Sequence, residues 1–371
     1  MGRSRSTLIA LAIALLVVGL PGRASAAPSD RVRTCGTHLC IGDQRWVMRI
    51  ATIYGSLDDP GPAIDMAKAA GANTIRITDF LSYGINSAQA VELEVAWQRV
   101  DNAIALSAME NMRVLLDLSP LRNLLLVEGL NPYVRDWVPY VTKAATRVNT
   151  ITGIAYRDDP TIALVSMAGE VEPPHGDARP SLPTTRQVTQ FFRSTLDAWS
   201  ILAPDTLVNA GGLLHTDWDS GLDWKAIYAL PGNDLCAIHV YSDESLKAGM
   251  VPVADYCRSI GKPWVMEETG IPYQRGDDVR AAWFRDVLRT SWSNGAAGVG
   301  VWNVGGDTVG PGGTTYDINP TQPQTWYAVQ HGLGGHPSRR PSRLGVGADE
   351  VEQRLAVDVE LLRSDARDLQ Q

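Results

Sequence analysis

Two glutamates in this sequence stand at the ends of short apolar runs that have the character of buried strands. Glu170 follows the run 162–167, and Glu268 ends the run 264–268. When two carboxyl groups face each other, one can donate a proton while the other, ionised, acts as a nucleophile. Arg76 lies near the end of another run, and a cation beside one carboxylate lowers the pKa of that group. These residue types predict a catalytic carboxylate pair.

Neighbouring acids leave the choice of the pair open. Glu172 lies two residues beyond Glu170 and can share its face. Glu267 precedes Glu268 and would point the other way in a regular strand, toward the helical layer or a neighbouring loop. A structural alternative is that these glutamates are rim acids paired with cations.

Eight apolar runs alternate with segments of helical periodicity, and these elements must position the carboxylates. Most runs are rich in Val, Ile and Leu without polar alternation, as in parallel strands buried on both faces. The predicted strands are residues 46–51, 73–78, 113–118, 162–167, 206–210, 235–241, 264–268 and 298–302. Helical stripes between them are Leu93, Trp97, Val100 and Ile104, and then Val279, Trp283, Val287 and Leu288.

This alternation predicts an α/β fold, a single (β/α)8 TIM barrel. A doubly wound open sheet is the competing arrangement, and it usually shows a glycine-rich phosphate turn after an early strand. Here the first strand runs into residues 53–56, which read Ile-Tyr-Gly-Ser. The sequence therefore favours the barrel.

Function in a barrel gathers at the carboxyl ends of the strands. The chain places there a set of polar and aromatic candidates, which comprises Arg76, Gly169, Glu170, His239, Tyr241, Glu268, Trp302 and Asn303. His215 follows the fifth strand beside two aspartates and is a candidate for the cleft or for a surface loop. A carboxylate pair beside an aromatic platform is typical of glycoside hydrolysis.

Several motifs together resemble glycoside hydrolase family 5, and within it the endo-β-1,4-mannanase branch. They are Tyr-Arg-Asp-Asp-Pro-Thr-Ile at 156–162 followed by Gly169-Glu170, Gly-Ala-Asn-Thr-Ile-Arg at 71–76, His239-x-Tyr241, Lys-Pro-Trp-Val-Met-Glu-Glu-Thr-Gly at 262–270, and Trp302. The match covers roughly residues 40–333. The resemblance implies a retaining hydrolase of β-linked polysaccharide, without cofactor or metal, that works by two displacements.

The resemblance also implies individual roles. Glu170 matches the acid/base, with a pKa raised in its pocket, and Glu268 matches the nucleophile. Arg76 and Tyr241 resemble the residues that orient the nucleophile, His239 resembles a pocket-lining histidine, and Trp302 resembles the platform beneath the sugar. Alternatives are a β-glucanase or cellulase, an exo-β-mannosidase, and a carbohydrate-binding barrel with weak or lost catalysis.

One departure from the family pattern bears on the substrate. The family's Asn before the acid/base is Gly169 here, and the following Pro is Val171. That Asn contacts the sugar 2-hydroxyl, an interaction that strengthens in the transition state. Asn209 and Asn303 are the candidates for a replacement donor.

The two ends of the chain differ in character from the barrel. Residues 1–26 show a basic start, an apolar run at 8–20 and a small-x-small site, the layout of a secretory signal peptide. Residues 27–335 form the predicted catalytic domain, and residues 336–371 form a basic, proline-containing linker with an amphipathic helical tail. The sequence thus predicts a secreted protein.

Cysteine usage and charge complete the prediction. In an exported protein, Cys35 can pair with Cys40 and Cys236 with Cys257, although four reduced thiols are the alternative. Neither a CxxC nor an HExxH motif occurs, which speaks against zinc. The net charge is −8, from 41 acids and 33 basic residues, which argues against a nucleic-acid partner. We expect a monomer that binds poly- or oligosaccharide and no membrane after signal cleavage.

Overall fold

Strands and helices alternate along the residues that the computed structural model describes, which are 31–82, 84–171, 184–213, 222–242, 249–305 and 315–334. The strands are β1 (Val32–Cys35), β2 (His38–Ile41), β3 (Gln44–Trp46), β4 (Met48–Thr52), β5 (Thr74–Ile77), β6 (Arg113–Asp117), β7 (Ile162–Ser166), β8 (Leu207–Asn209), β9 (Cys236–Val240), β10 (Trp264–Thr269) and β11 (Gly298–Val301). The α-helices are α1 (Gly61–Ala69), α2 (Ser87–Glu92), α3 (Glu94–Met109), α4 (Pro120–Val127), α5 (Val138–Thr146), α6 (Thr185–Leu202), α7 (Trp224–Tyr228), α8 (Met250–Ser259), α9 (Asp277–Ser293) and α10 (Pro323–Gly334).

Strands β4 to β11 form one parallel sheet that nearly closes on itself. Its order is β8-β7-β6-β5-β4-β11-β10-β9. A parallel bridge between Leu213, after β8, and Ile238, in β9, joins the two outer strands. The predicted (β/α)8 barrel is confirmed. All eight predicted strands are present, with bounds that differ by one or two residues.

The apolar runs form barrel strands because the sheet is covered on both faces. Every residue of β5, β7, β9, β10 and β11 is buried. The predicted stripe of α3 packs on the sheet through Trp97, Val100 and Ile104, which are fully buried. In α9, the predicted stripe is fully buried at Val287 and Leu288, whereas Val279 in the first turn is 40% exposed.

A small antiparallel sheet, which was not predicted from the sequence, precedes the barrel. β1 pairs with β2 and β2 with β3. Val32 and Leu39 from this sheet pack against Met48 and Ile50 at the amino end of the barrel. These strands have three or four residues each, which is too short for a periodicity signal.

Both predicted disulfides form. The Cys35–Cys40 bond links β1 to β2, and the Cys236–Cys257 bond ties β9 to α8, with Cα–Cα distances of 6.1 and 6.4 Å. Within the described segments, no helix combines the length and apolar character needed to cross a membrane. The predicted signal peptide (1–26) and the linker and tail (336–371) lie outside the described residues.

Candidate active site

The carboxyl end of the barrel brings most of the predicted site residues together. Glu170, His239 and Glu268 come from β7, β9 and β10 or the residues just after them, and each offers an atom within 4.8 Å of the others. Arg76 enters the same group from β5 through its ion pair with Glu268. Glu172 and His215, two further candidates from the sequence, lie outside the described residues.

Glu268 is held by two donors, as the resemblance implied. Arg76 Nη1 donates to Glu268 Oε2, and the Tyr241 hydroxyl donates to Oε1. Arg76 is itself fixed by Asp117, since its Nη2 lies 2.6 Å from Asp117 Oδ2. Burial acts to lower the pKa of Arg76, but the two carboxylates raise it, so the guanidinium stays charged. Hydrogen bonds to both oxygens therefore fix the orientation of the Glu268 carboxylate.

Tyr241 stays a phenol in this setting. Burial raises its pKa well above the usual value, and the nearby charge of Glu268 raises it further. The hydroxyl proton is thus available to Glu268 at neutral pH.

Glu170 has the opposite pKa shift from the one expected. Its side chain is 30% exposed at the barrel mouth, and its Oε1 lies 3.1 Å from His239 Nδ1. Burial acts to raise the pKa of Glu170, but the hydrogen bond and charge of His239, with Arg122 Nη2 at 3.7 Å, lower it to about 2. The expectation of a raised pKa is wrong for the free site, because a buried cation contacts the carboxylate.

That cation is the imidazolium of His239, which is almost fully buried. Burial acts to lower its pKa, but the negative charge of Glu268 and the hydrogen bonds to Glu170 and Glu267 raise it to about 10. The ring fits because residue 212 is glycine, and a Cβ there would overlap the imidazole. His239 therefore occupies the centre of the site rather than only lining it.

Glu267 points into the barrel, contrary to the expectation from strand alternation. The pairing of β10 with β9 shifts between Met266 and Glu268, so Glu267 is an extra residue in the strand. Its Oε2 accepts from Gly212 N at 2.8 Å and lies 3.3 Å from His239 Nε2. Two consecutive glutamates thus face the interior. The Glu-Glu doublet is the signal in the sequence that marks this position.

Gly169 has a left-handed backbone, with φ at +53°, and contacts an arginine that spacing could not predict. A Cβ on Gly169 would lie 3.3 Å from Arg122 Nη1. Arg122 Nη1 donates to the carbonyl oxygens of Ala168 at 2.7 Å and Glu170 at 2.9 Å. Arg122 therefore fills the space beside Gly169 and fixes the backbone on both sides of it.

The two candidate replacement donors are both buried. Asn209 lies in β8, where its Oδ1 accepts from Gly211 N at 3.0 Å and its Nδ2 is buried without a hydrogen-bond partner among the described residues. Asn303 Nδ2 lies 3.3 Å from Asp317 Oδ1, and Asn303 is also buried.

An aromatic wall borders the carboxylate pair. The Trp302 ring lies 5.0 Å from the Tyr54 ring between centroids, and Arg76 Cζ lies 5.7 Å from the Trp302 centroid. Burial, together with the charge of Asp79, raises the pKa of Tyr54 to about 12. Tyr54 was not among the site residues predicted from the sequence, so its place beside Trp302 is a new observation. The wall provides the flat surface that sugar rings stack on.

Glu170, His239 and Glu268 are close enough together to surround a metal ion. The charges around these residues disfavour a metal ion, because His239 is cationic and Arg76 contacts Glu268 directly. Both ring nitrogens of His239 also face carboxylates. We assign no metal ligands here.

Comparison with known proteins agrees with this architecture. No family model matches the chain. The chain is 25% identical over 309 residues to mannan endo-1,4-beta-mannosidase 8 of Oryza sativa subsp. japonica, which covers 69% of this chain and 82% of the rice protein. The endo-1,4-beta-mannanase of Rhizomucor miehei has the same fold, with a TM-score of 0.65 at 17% identity over 82% of this chain and 99% of that one. A glycoside hydrolase family 5 mannosidase of the same organism gives 0.62 at 14% identity, over 83% and 98%. The chain is thus similar in sequence to a mannan endo-1,4-beta-mannosidase and in fold to an endo-1,4-beta-mannanase and to a glycoside hydrolase family 5 mannosidase.

Proposed function

We propose that this protein is a retaining glycoside hydrolase that cleaves β-1,4-linked mannan within the polymer. One observation carries the retaining mechanism, namely the distance between the two candidate carboxylates. Glu170 and Glu268 present oxygens within 4.8 Å of each other. Retaining glycosidases hold their carboxyl groups about 5–5.5 Å apart, whereas inverting enzymes need about 6.5–9.5 Å to admit a water molecule. The site therefore suits a double displacement.

In the first displacement, Glu268 attacks the anomeric carbon and Glu170 protonates the departing glycosidic oxygen. The bond from the anomeric carbon to that oxygen breaks as the ester to Glu268 forms. In the second, Glu170 takes a proton from water, the resulting hydroxide attacks the anomeric carbon, and Glu268 leaves as a carboxylate. Arg76 and Tyr241 stabilise Glu268 as a free carboxylate before the first displacement and after the second, since both donate to its oxygens.

The proton for the first step has a source next to Glu170. Between about pH 2 and about pH 10, Glu170 and His239 share one titratable proton, because the pKa of Glu170 is about 2 and that of His239 is about 10. Glu170 Oε1 and His239 Nδ1 lie 3.1 Å apart. Bound sugar excludes water from the pair, and burial penalises charged forms. Substrate binding therefore favours transfer of that proton from Nδ1 to Oε1, which gives the acid form of Glu170.

The choice of mannan rests on the relatives. The rice protein is named a mannan endo-1,4-beta-mannosidase, and the Rhizomucor miehei structure is that of an endo-1,4-beta-mannanase. Arg122 and Gly169 set this chain apart at the position where the family contacts the 2-hydroxyl, so the sugar at that subsite is the feature to test.

Assays of the mature protein on β-mannan, glucomannan, cellulose and mixed β-glucan test the proposal. We expect new reducing ends from mannan, oligosaccharides of mixed length, and a rapid fall in viscosity. Release of mannose alone would indicate exo action, and binding to mannan without release of sugar would overturn the hydrolase. Proton NMR of the first product tests the stereochemistry, with the β-anomer expected before mutarotation.

We also propose that the protein is secreted. The support is the signal-like segment 1–26 and the two disulfides, which are typical of oxidising compartments. Mass spectrometry of protein recovered from culture medium is expected to give Ala27 as the first residue. Recovery only in the cell fraction with residues 1–26 intact would contradict secretion.

A further inference from the structure

The double displacement leaves one buried carboxylate of the site without a task. Glu267 is fully buried and contacts the ring of His239. Its Oε2 accepts from Gly212 N at 2.8 Å and lies 3.5 Å from Ser166 Oγ, and its ion-pair partner is His239. A buried carboxylate is costly unless a cation compensates it. Such a group needs a functional explanation.

The geometry of His239 supplies that explanation. Its Nε2 lies 3.3 Å from Glu267 Oε2 and its Nδ1 lies 3.1 Å from Glu170 Oε1, so both ring nitrogens face carboxylate oxygens. Only the doubly protonated ring can donate to both. Glu267 contacts the nitrogen that points away from the reacting groups. Its charge therefore acts on Glu170 through the ring.

We propose that Glu267 is a positioning residue that keeps His239 doubly protonated and aims Nδ1 at Glu170, and thereby retains the proton that Glu170 delivers. This inference rests on the proposed glycosidase function. Gly212 serves the same arrangement twice, because its N–H donates to Glu267 and its missing side chain makes room for the ring.

The sign of the effect follows from the charges. Glu267 is an anion, since His239 and Arg76 lower its pKa against the effect of burial. A negative charge beside the Glu170–His239 pair raises the pH at which the pair loses its shared proton. Removal of that charge lowers this pH, so the alkaline limb of activity moves toward neutrality. The other charged or titratable groups of the described residues that face this cluster are Arg76, Asp117, Arg122, Tyr228, Tyr241 and Glu268.

Glu267→Gln is the direct test, because glutamine keeps an oxygen for the Gly212 N–H but removes the charge. NMR titration of histidine-labelled full-length protein measures the pKa of His239, with its signal assigned by its loss in His239→Asn. We expect the pKa of His239 to fall from about 10 by about 1–3 units. The alkaline limb of kcat/KM on a soluble manno-oligosaccharide is expected to move down with it.

Ser166→Ala is the matched control, because it removes a neutral contact of the same carboxylate and is expected to leave the pKa of His239 in place. If circular dichroism shows that Glu267→Gln does not fold, Glu267→Asp retains the charge at a greater distance and should give a smaller shift in the pKa of His239 in the same direction.

A folded variant with an unchanged His239 pKa, or with a loss of activity equal at every pH, overturns the proposal. A shifted His239 pKa in a protein that cleaves no β-glycan would instead reject the proposed function and leave the Glu267–His239 coupling standing.

Discussion

The two ends of the barrel bury opposite kinds of side chains, although the same eight strands build both. At the amino end, Leu39 from the small sheet packs on Met48 and Ile50 in an apolar cluster. At the carboxyl end, His239 and Glu267 are equally buried but are charged. Apolar burial contributes directly to stability, whereas a buried ion pair loses much of its attraction to the desolvation of its charges.

This difference separates two tasks within one sheet. The amino end stabilises the barrel mainly through apolar contacts such as that of Leu39 with Met48 and Ile50, which carry no charge. The carboxyl end holds buried charges, and in other proteins apolar residues can often replace such charges at no cost in stability, so we attribute these charges to reactivity. Changes at the two ends are therefore expected to affect different measurements.

The largest expected effect is that of Glu268→Ala on turnover. The variant removes the nucleophile, and kcat on a manno-oligosaccharide is expected to fall by about 10⁴-fold or more. Calorimetric binding of the same oligosaccharide should persist, since the aromatic wall is untouched. Glu92→Gln, an exposed change with Lys143 as its partner, is the control and should keep full activity. Full activity in Glu268→Ala would rule out this nucleophile.

A change at the opposite end should spare activity and reduce stability. Leu39 is fully buried, so Leu39→Ala leaves a cavity and is expected to lower the free energy of unfolding by about 2–5 kcal/mol. Below the melting transition, kcat/KM should match that of the unchanged protein. Val95→Ala, at a position 45% exposed, is expected to cost less than about 0.5 kcal/mol. Loss of kcat/KM in folded Leu39→Ala would break the separation of the two ends.

The pH dependence of stability should include large contributions from the carboxyl end. The pKa of Glu170 is lowered from 4.5 to about 2, so its contribution is complete above about pH 4.5 and is lost as the pH falls through 2. The pKa of His239 is raised from 6.5 to about 10, so its contribution is complete below about pH 6.5 and is lost as the pH rises through 10. Melting temperature against pH is expected to be highest between these limits. His239→Asn should flatten the profile; an unchanged profile would show that the pair adds nothing.

The smallest expected effect concerns Gly169. Gly169→Ala imposes a left-handed backbone on alanine, at about 1–2 kcal/mol, and sets a Cβ 3.3 Å from Arg122 Nη1. The displaced guanidinium should loosen the Glu170 backbone and lower kcat by about 10-fold or less, since the chemistry itself is intact. Gly36→Ala is the matched control, because it has φ at +61° with nothing within 4 Å of its Cβ. Equal kcat in both variants would show that the Arg122 contact does not matter.

The barrel could be predicted from the sequence because its strands are uninterrupted apolar runs between helical stripes. Glu170 and Glu268 were predicted from motif spacing, and the structure brings both to the carboxyl end with Arg76 and Tyr241. The inward turn of Glu267 could not be predicted, because a bulge depends on how two strands pair.

The charge state of Glu170 could not be predicted from the sequence either. Its pKa depends on His239 and Arg122, which lie 69 and 48 residues away in the chain. Spacing shows that a histidine and an arginine exist but not that they contact one carboxylate. Long-range contacts of this kind require the fold.

The bulge in β10 has a consequence for how this site can change. Because one additional residue turns Glu267 inward, the number of residues in the strand determines which acids meet at the mouth. Loss of a single residue there would restore regular alternation and send one of the two glutamates outward. A change in chain length at this point would thus change which acidic side chain faces the site.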